Sequence, residues 1–283
     1  MTLSLPPPAE LLDLLPDGVC VVDAEGRFLY VSGSFERILG YTRGEMLGLR
    51  TFELVHADDR AATTHEAARV TGGAFQRHFR NRYRHKAGHY VDIQWSARWN
   101  AEYGVRIASA REVTELRRVE RELEHRATHD LLTGLPNRDY LQIELNSALE
   151  HARSTGDRLA LLFLDLDGFK AVNDRAGHHV GDSVLREVAS RLKHGLRQSD
   201  LVARIGGDEF VVLLRGCADA DKAGRISDAL RARLTGVPFT GLDAGQLDAS
   251  VGIACFPENG STAEALLAHA DRAMYASKRQ RAS

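Results

Sequence analysis

The sequence predicts two mixed helix–strand domains joined by a charged helix, and three observations carry that expectation. The chain has 283 residues, enough for two domains at roughly 100–200 residues each. Its first third consists of short apolar strands and glycine-containing turns, whereas from Asp130 onward apolar strands alternate with segments of helical periodicity. Between the two, residues 112–129 contain neither glycine nor proline and are rich in charge.

The elements follow in order. Residues 19–23 and 27–31 flank the turn Ala24-Glu25-Gly26 and form a hairpin. Residues 34–70 suit short helices and loops. Residues 75–83, 90–98 and 105–111 read as three further strands, with a turn at Lys86-Ala87-Gly88-His89. In the charged segment, Leu116, Val119 and Leu123 recur at a, d, a spacing, a narrow seam suited to pairing with a second copy. A linker helix resting on its own domains is the alternative. Residues 159–164 are continuously apolar, as in a strand buried on both faces. Helical periodicity marks 180–196, 219–234 and 262–279, and strands are expected at 201–205, 210–214 and 247–256. The expected division is a first domain at 1–111, a helical linker at 112–129 and a second domain at 130–283.

A formal net charge of -2 argues against a nucleic-acid coat or a polybasic membrane anchor. Cys20, Cys217 and Cys255 are far apart and form no CxxC pair, which argues against disulfides and zinc. The N-terminus lacks the pattern of a signal peptide, and no apolar run approaches the roughly 18 residues that span a bilayer. A cytoplasmic location with no membrane partner is the expectation.

Two segments concentrate chemistry. Gly206-Gly207-Asp208-Glu209 places two carboxylates beside a glycine turn between apolar strands. Buried carboxylates repel one another and call for a cation. Asp165-Leu166-Asp167-Gly168-Phe169-Lys170 ends an apolar strand in an acidic pair that alternation puts on one face. The glycine-containing loop with Lys170 suits phosphate, and hard oxygen ligands suit Mg²⁺.

Together with residues 130–138, 165–174 and 177–182, these motifs resemble the GGDEF family of diguanylate cyclases over about residues 128–279. The resemblance implies a mostly antiparallel sheet flanked by helices, akin to the palm of nucleotidyl transferases. It implies condensation of two GTP into cyclic di-GMP by two facing domains, hence a homodimer. Asp165, the Leu166 carbonyl, Asp208 and Glu209 would hold two Mg²⁺ per site. Asp208, Glu209 and Lys170 would form the catalytic set, with Asp208 helping to deprotonate the ribose 3′-hydroxyl. Asn173 and Asp182 would read guanine, with Phe169, His178, Gly206 and Gly207 lining the substrate. Lys170 and Lys278 would neutralise phosphates. The family's usual Gly-Arg after this lysine is missing, and Arg281 is the candidate substitute. Arg197 and Asp200, the latter six residues before Gly206, match the family's RxxD inhibitory site for product.

The first domain resembles a PAS domain through residues 15–19, 23–26, 38–41, 56–59 and 111–115, with Ser32 where many relatives have Asn. The fold class is therefore α+β: a PAS-like antiparallel sheet with helices, a helical linker, then a palm-like sheet. His56 and His65 are candidate haem ligands, and the PAS ligand is unknown from sequence. The competing functional reading is a catalytically silent receptor for GTP or cyclic di-GMP. No nucleic-acid partner is expected.

Overall fold

A computed structural model describes residues 5–217, 219–236, 238–239 and 247–282. The chain forms two compact units that divide between Arg121 and Glu122.

Unit 1 opens with a short helix, α1 (Pro8–Leu14), which the sequence reading did not anticipate. Pro8 stands in its first turn, where a missing N–H costs nothing. Strands β1 (Gly18–Val22) and β2 (Phe28–Val31) form the expected hairpin. Short helices α2 (Ser34–Leu39), α3 (Arg43–Met46) and α4 (Thr51–Leu54) lead to a 3-10 turn (Ala57–Asp59) and helix α5 (Arg60–Thr71). Strands β3 (Gln76–Arg84), β4 (Tyr90–Asn100) and β5 (Val105–Glu112) complete an antiparallel sheet in the order β2-β1-β5-β4-β3. Alternation decides its inner face: Cys20 and Val22 of β1 are buried, as are Ile93, Trp95 and Ala97 of β4. Phe28, Phe35, Leu39 and Met46 pack into the same core.

Two side chains in unit 1 have local duties. Ser32 is buried and accepts the Val19 N–H at 2.9 Å, so a small hydroxyl suffices at that position. His56 Nδ1 accepts the Asp58 N–H at 3.2 Å and its ring packs edge-on to Tyr90, 4.5 Å between centroids. That is the work of a turn residue.

Helix α6 (Thr114–Thr128) occupies most of the predicted linker. Leu116, Val119 and Leu123 are 53%, 44% and 60% exposed, so the apolar seam is not packed against this chain's own core.

Unit 2 contains α7 (Arg138–Thr155), β6 (Leu159–Asp167), α8 (Phe169–Ala176), α9 (His178–His194), β7 (Leu201–Gly206) and β8 (Glu209–Arg215). Then follow α10 (Ala220–Thr235), β9 (Asp248–Phe256) and α11 (Ala263–Ala282). The sheet order is β7-β8-β6-β9, with every pair antiparallel. The central strand β6 feeds two cores. Leu162, Leu164 and Leu166 pack with Val184, Val188 and Leu230, whereas Leu161 and Phe163 pack with Leu141, Leu145, Leu266 and Met274. This is why its sequence shows no polar alternation.

Gly252 sets the spacing of α11 on β9. A Cβ there would lie 2.0 Å from the Ala270 carbonyl oxygen and 2.2 Å from the Met274 nitrogen. Only a residue without a side chain permits that approach, and one turn later α11 delivers Lys278. Among the described residues no helix is long and apolar enough to cross a membrane.

Candidate functional site

The site forms where β6 and β8 end together. Antiparallel register puts Asp165 opposite Glu209, and the Leu166 N–H donates to the Asp208 carbonyl at 3.3 Å. Three carboxylates of the predicted set therefore meet on two adjacent strand ends. Lys278 bonds Asp165 Oδ1, and its Nζ stands 3.8 Å from Asp167 Oδ1. Asp167 Oδ2 accepts the Ser250 hydroxyl at 2.7 Å, a contact from β9 that no sequence motif signals.

The electrostatics report crowding of negative charge. Burial raises the Asp208 carboxyl above its ordinary value, and the neighbouring Asp165 raises it further against Lys278 and Arg204. Burial likewise raises Glu209, with Asp165, Asp208 and Asp271 adding to the rise. Lys278 is shifted upward by its hydrogen bond to Asp165 against the opposing effect of burial. One ammonium beside this many carboxylates leaves negative charge uncompensated, so the donor set fits a divalent cation. Among the described residues no group of three His, Cys, Asp or Glu side chains forms a metal cage. Mg²⁺ does not need one, since it usually takes one or two carboxylates plus substrate phosphates.

The β7–β8 turn is built for close approach. Gly207 has φ 43°, and a Cβ on either Gly206 or Gly207 would meet nothing within 4 Å. The space over both glycines is open to a ligand. Arg204 holds this turn in place. Its Nη2 and Nε donate to the Gly207 carbonyl at 2.7 and 3.0 Å, and its Nη1 donates to both oxygens of Asp130 at 2.9 and 3.0 Å. Asp130 also accepts from the Thr133 hydroxyl at 2.6 Å. The sequence motifs alone assign a role to neither residue. A cation inside an otherwise apolar strand was the available signal.

After β6 the chain turns at Gly168, whose φ of 85° starts α8. Lys170 was expected on a loop; it sits instead in the first turn of α8, exposed and with no ion pair among the described residues. The reason is that Gly168 takes the left-handed conformation and the helix begins at once. Phe169 is 8% exposed and packs in the hydrophobic core, so it offers a ligand its backbone rather than its ring. Asn173 on α8 is half-buried beside Gly181 of α9, where a Cβ would fall 1.9 Å from Asn173 Oδ1. His178 is exposed at the start of α9, and the side chain of half-buried Asp182 makes no hydrogen bond or ion pair among the described residues. Hence α8 and α9 gather Asn173, His178 and Asp182 around one glycine-linked corner.

Arg197 and Asp200 lie on the turn before β7. The Arg197 N–H donates to Asp200 Oδ2 at 3.2 Å, while Asp200 Oδ1 accepts the Arg215 N–H at 3.3 Å. The carboxylate fixes the turn, and the Arg197 guanidinium is exposed with no ion pair among the described residues. The Arg281 side chain lies outside the described residues.

The antiparallel sheet gathers carboxylates, a lysine and open glycine backbone at one end. Comparison with known proteins gives the family. Residues 127–283 match the family described as diguanylate cyclase, GGDEF domain, and residues 8–107 match the PAS fold. The chain belongs to the GGDEF family. It is 48% identical over 160 residues to diguanylate cyclase TpbB of Pseudomonas aeruginosa, covering 56% of this chain and 37% of that protein. It is 33% identical over 280 residues to the probable diguanylate cyclase DgcE of Escherichia coli, covering 94% of this chain and 25% of that protein. The chain thus spans well under half the length of either relative. Among solved structures, the coiled coil and GGDEF domain of DgcB from Caulobacter crescentus, in complex with c-di-GMP, superposes with a TM-score of 0.53. That match has 30% identity and covers 59% of this chain and 89% of that one.

Proposed function

We infer that this chain is a diguanylate cyclase that joins two GTP into cyclic di-GMP and releases two pyrophosphates. The observation that carries the reading is the meeting of Asp165, Asp208 and Glu209 on paired strand ends, under a glycine turn with open space above it. Asp165, Asp208, Glu209 and the Leu166 carbonyl would hold two Mg²⁺ ions. When bound, these ions would lower the pKa of the ribose 3′-hydroxyl and stabilise charge on the triphosphate.

The chain's own groups do the rest. Gly206 and Gly207 admit the phosphates, and Lys170 and Lys278 offset their charge. Asn173 and Asp182 take the guanine edge, because a carboxylate accepts from the ring N–H and the exocyclic amine. Asp208 would help to take the 3′-hydroxyl proton as the oxygen attacks the α-phosphate. The P–O bond to pyrophosphate breaks as the new one forms. Each GTP supplies the hydroxyl that attacks the other, so two domains must face each other. The exposed seam of α6 supports a homodimer, and Arg197 with Asp200 supports product feedback, since the arginine fork suits phosphate and the guanine face.

The test is incubation with GTP and Mg²⁺ followed by mass analysis of nucleotides, on the parent and on Asp165→Ala and Asp208→Ala. Cyclic di-GMP from the parent and loss of at least about 100-fold in each variant are expected. Either variant at near-parental rate, or no product from the parent, would overturn the reading.

A further inference from the structure

Asp165 and Asp167 stand on one face of β6, two residues apart. The chemistry of the site uses Asp165 and leaves Asp167 without a part. Across the ladder on β9, Ser250 pairs with Asp165 and Asp248 pairs with Asp167. Two carboxylates directly opposite each other repel, so each needs its own partner. Asp248 is taken by Arg231 of α10, whose Nε and Nη2 donate to it at 2.8 and 2.5 Å, and it also accepts the Ala249 N–H at 2.7 Å. Asp167 is anchored on the diagonal instead, where its Oδ2 accepts the Ser250 hydroxyl at 2.7 Å.

Ser250 is fully buried, and a buried hydroxyl calls for a hydrogen bond. By giving it to Asp167, Ser250 fixes which way that carboxylate turns. Asp167 Oδ2 faces Ser250, and Oδ1 stands 3.8 Å from the Lys278 Nζ. The same ammonium bonds Asp165 Oδ1. Lys278 therefore sits between two carboxylates. Its side chain is 43% exposed, and its long flexible stem needs such contacts to hold one position. On the same face of β9, Gly252 brings α11 close and so sets the height from which Lys278 reaches the site.

A divalent cation on Asp165 would repel an ammonium on the same carboxylate. Asp167 keeps the ammonium at the site while Asp165 serves the cation. We propose that Ser250 is a positioning residue for phosphate binding: it fixes Asp167, and Asp167 holds Lys278 at the edge of the metal site, where the ammonium meets the triphosphate. This role rests on the reading of Asp165 as a metal ligand and Lys278 as a phosphate contact. Without the Ser250 hydroxyl Asp167 turns, and Lys278 is left on Asp165, where it competes with the cation and lies away from the phosphates.

The probe is GTP with a methylene group in place of the oxygen between its α- and β-phosphates, which cannot release pyrophosphate. Its binding to the full chain with Mg²⁺ is measured by titration calorimetry, with urea denaturation as the check on folding. Lys278→Met should weaken binding at least about tenfold, and Ser250→Ala about three- to tenfold. The double variant should bind no more weakly than Lys278→Met, because Ser250 acts through that ammonium. In turnover, the loss in Ser250→Ala should fall on the KM for GTP rather than on kcat. Should Ser250→Ala fold poorly, Asp167→Asn keeps the shape and removes the charge that holds Lys278; it should weaken binding alone and add nothing to Lys278→Met. The proposal is overturned if Ser250→Ala or Asp167→Asn keeps parental affinity, if their losses add to that of Lys278→Met as a merely structural role requires, or if the turnover loss falls on kcat alone. A parent that does not bind the analogue, or Lys278→Met binding like the parent, would overturn the phosphate role of Lys278 itself and the proposal with it.

Discussion

Replacing Arg204 by alanine tests whether the β7–β8 glycine turn is held from a distance. The Arg204 guanidinium makes four hydrogen bonds among the described residues, two to Asp130 and two to the Gly207 carbonyl. Its side chain is 11% exposed and that of Asp130 is 25% exposed, so water recovers little of what is lost. A hydrogen bond to a charged group is worth about 1.5–3 kcal/mol net, and removing one partner of a buried pair costs about 3–5 kcal/mol. With Asp130 partly reached by solvent and still bonded to Thr133, the expected loss is about 2–4 kcal/mol. Urea denaturation should show it as a lower midpoint. Turnover of GTP should fall about 10- to 100-fold, because a small misplacement of reacting groups costs that much. Lysine at this position cannot span Asp130 and Gly207 with one ammonium, so Arg204→Lys should recover less than half of the stability. A pH dependence follows. Burial works to raise the Asp130 carboxyl, but the bonds from Thr133 and Arg204 outweigh it and hold its pKa below 3.8. The stability it contributes is present above 3.8 and is lost as pH falls through the lower folded value. Parent and Arg204→Ala should therefore converge in stability in that acid range. Unchanged urea midpoint and unchanged turnover in Arg204→Ala would refute the anchoring role.

Two further predictions address binding. Gly181→Ala puts a methyl 1.9 Å from Asn173 Oδ1 and must turn that amide away; the KM for GTP should rise about tenfold while the helix itself gains propensity, and an unchanged KM would remove Asn173 from guanine recognition. Arg197→Ala should relieve inhibition by added cyclic di-GMP with little change in initial rate, and progress curves showing equal inhibition of variant and parent would sink the feedback site.

Much of unit 2 was legible because its core strand is apolar at every step from Leu159 to Leu164, a pattern a two-sided environment demands. The Asp165 and Asp208 motifs stood out for the opposite reason, being charges where burial should exclude them. Helix α7 is not among the elements expected from sequence, although Leu141, Leu145 and Leu149 are buried at four-residue spacing. Helix α1 was hidden by three successive prolines that read as an extended start. Other features were beyond local reading. Arg204 and Asp130 are 74 residues apart in the chain, and Ser250 meets Asp167 across 83. Such pairs depend on strand register, which one sequence does not specify.

The helix between the units carries the last prediction. Its apolar side chains Leu116, Val119 and Leu123 are exposed, and the rest of the surface is charged. Ion pairs from Arg118 to Glu115 and from Arg126 to Glu122 stiffen it from within, while Arg121 reaches Asp92 of β4 at 3.4 Å. With neither glycine nor proline from Thr114 to Thr128, the helix can carry a rotation along its length instead of absorbing it. If two copies pair along this seam, the angle at which two GTP-loaded domains meet is set by the phase of the helix. Inserting four residues after Arg118 turns the seam by roughly 40° relative to an ideal helix, whereas a seven-residue insertion nearly restores it. The four-residue insertion should change the rate of cyclic di-GMP formation at least about tenfold, and the heptad insertion should keep most of it. Concentration dependence of the rate separates loss of pairing from altered geometry, because lost pairing is rescued by more protein and wrong phase is not. Equal rates and equal concentration dependence for both insertions and the parent would reduce α6 to a tether.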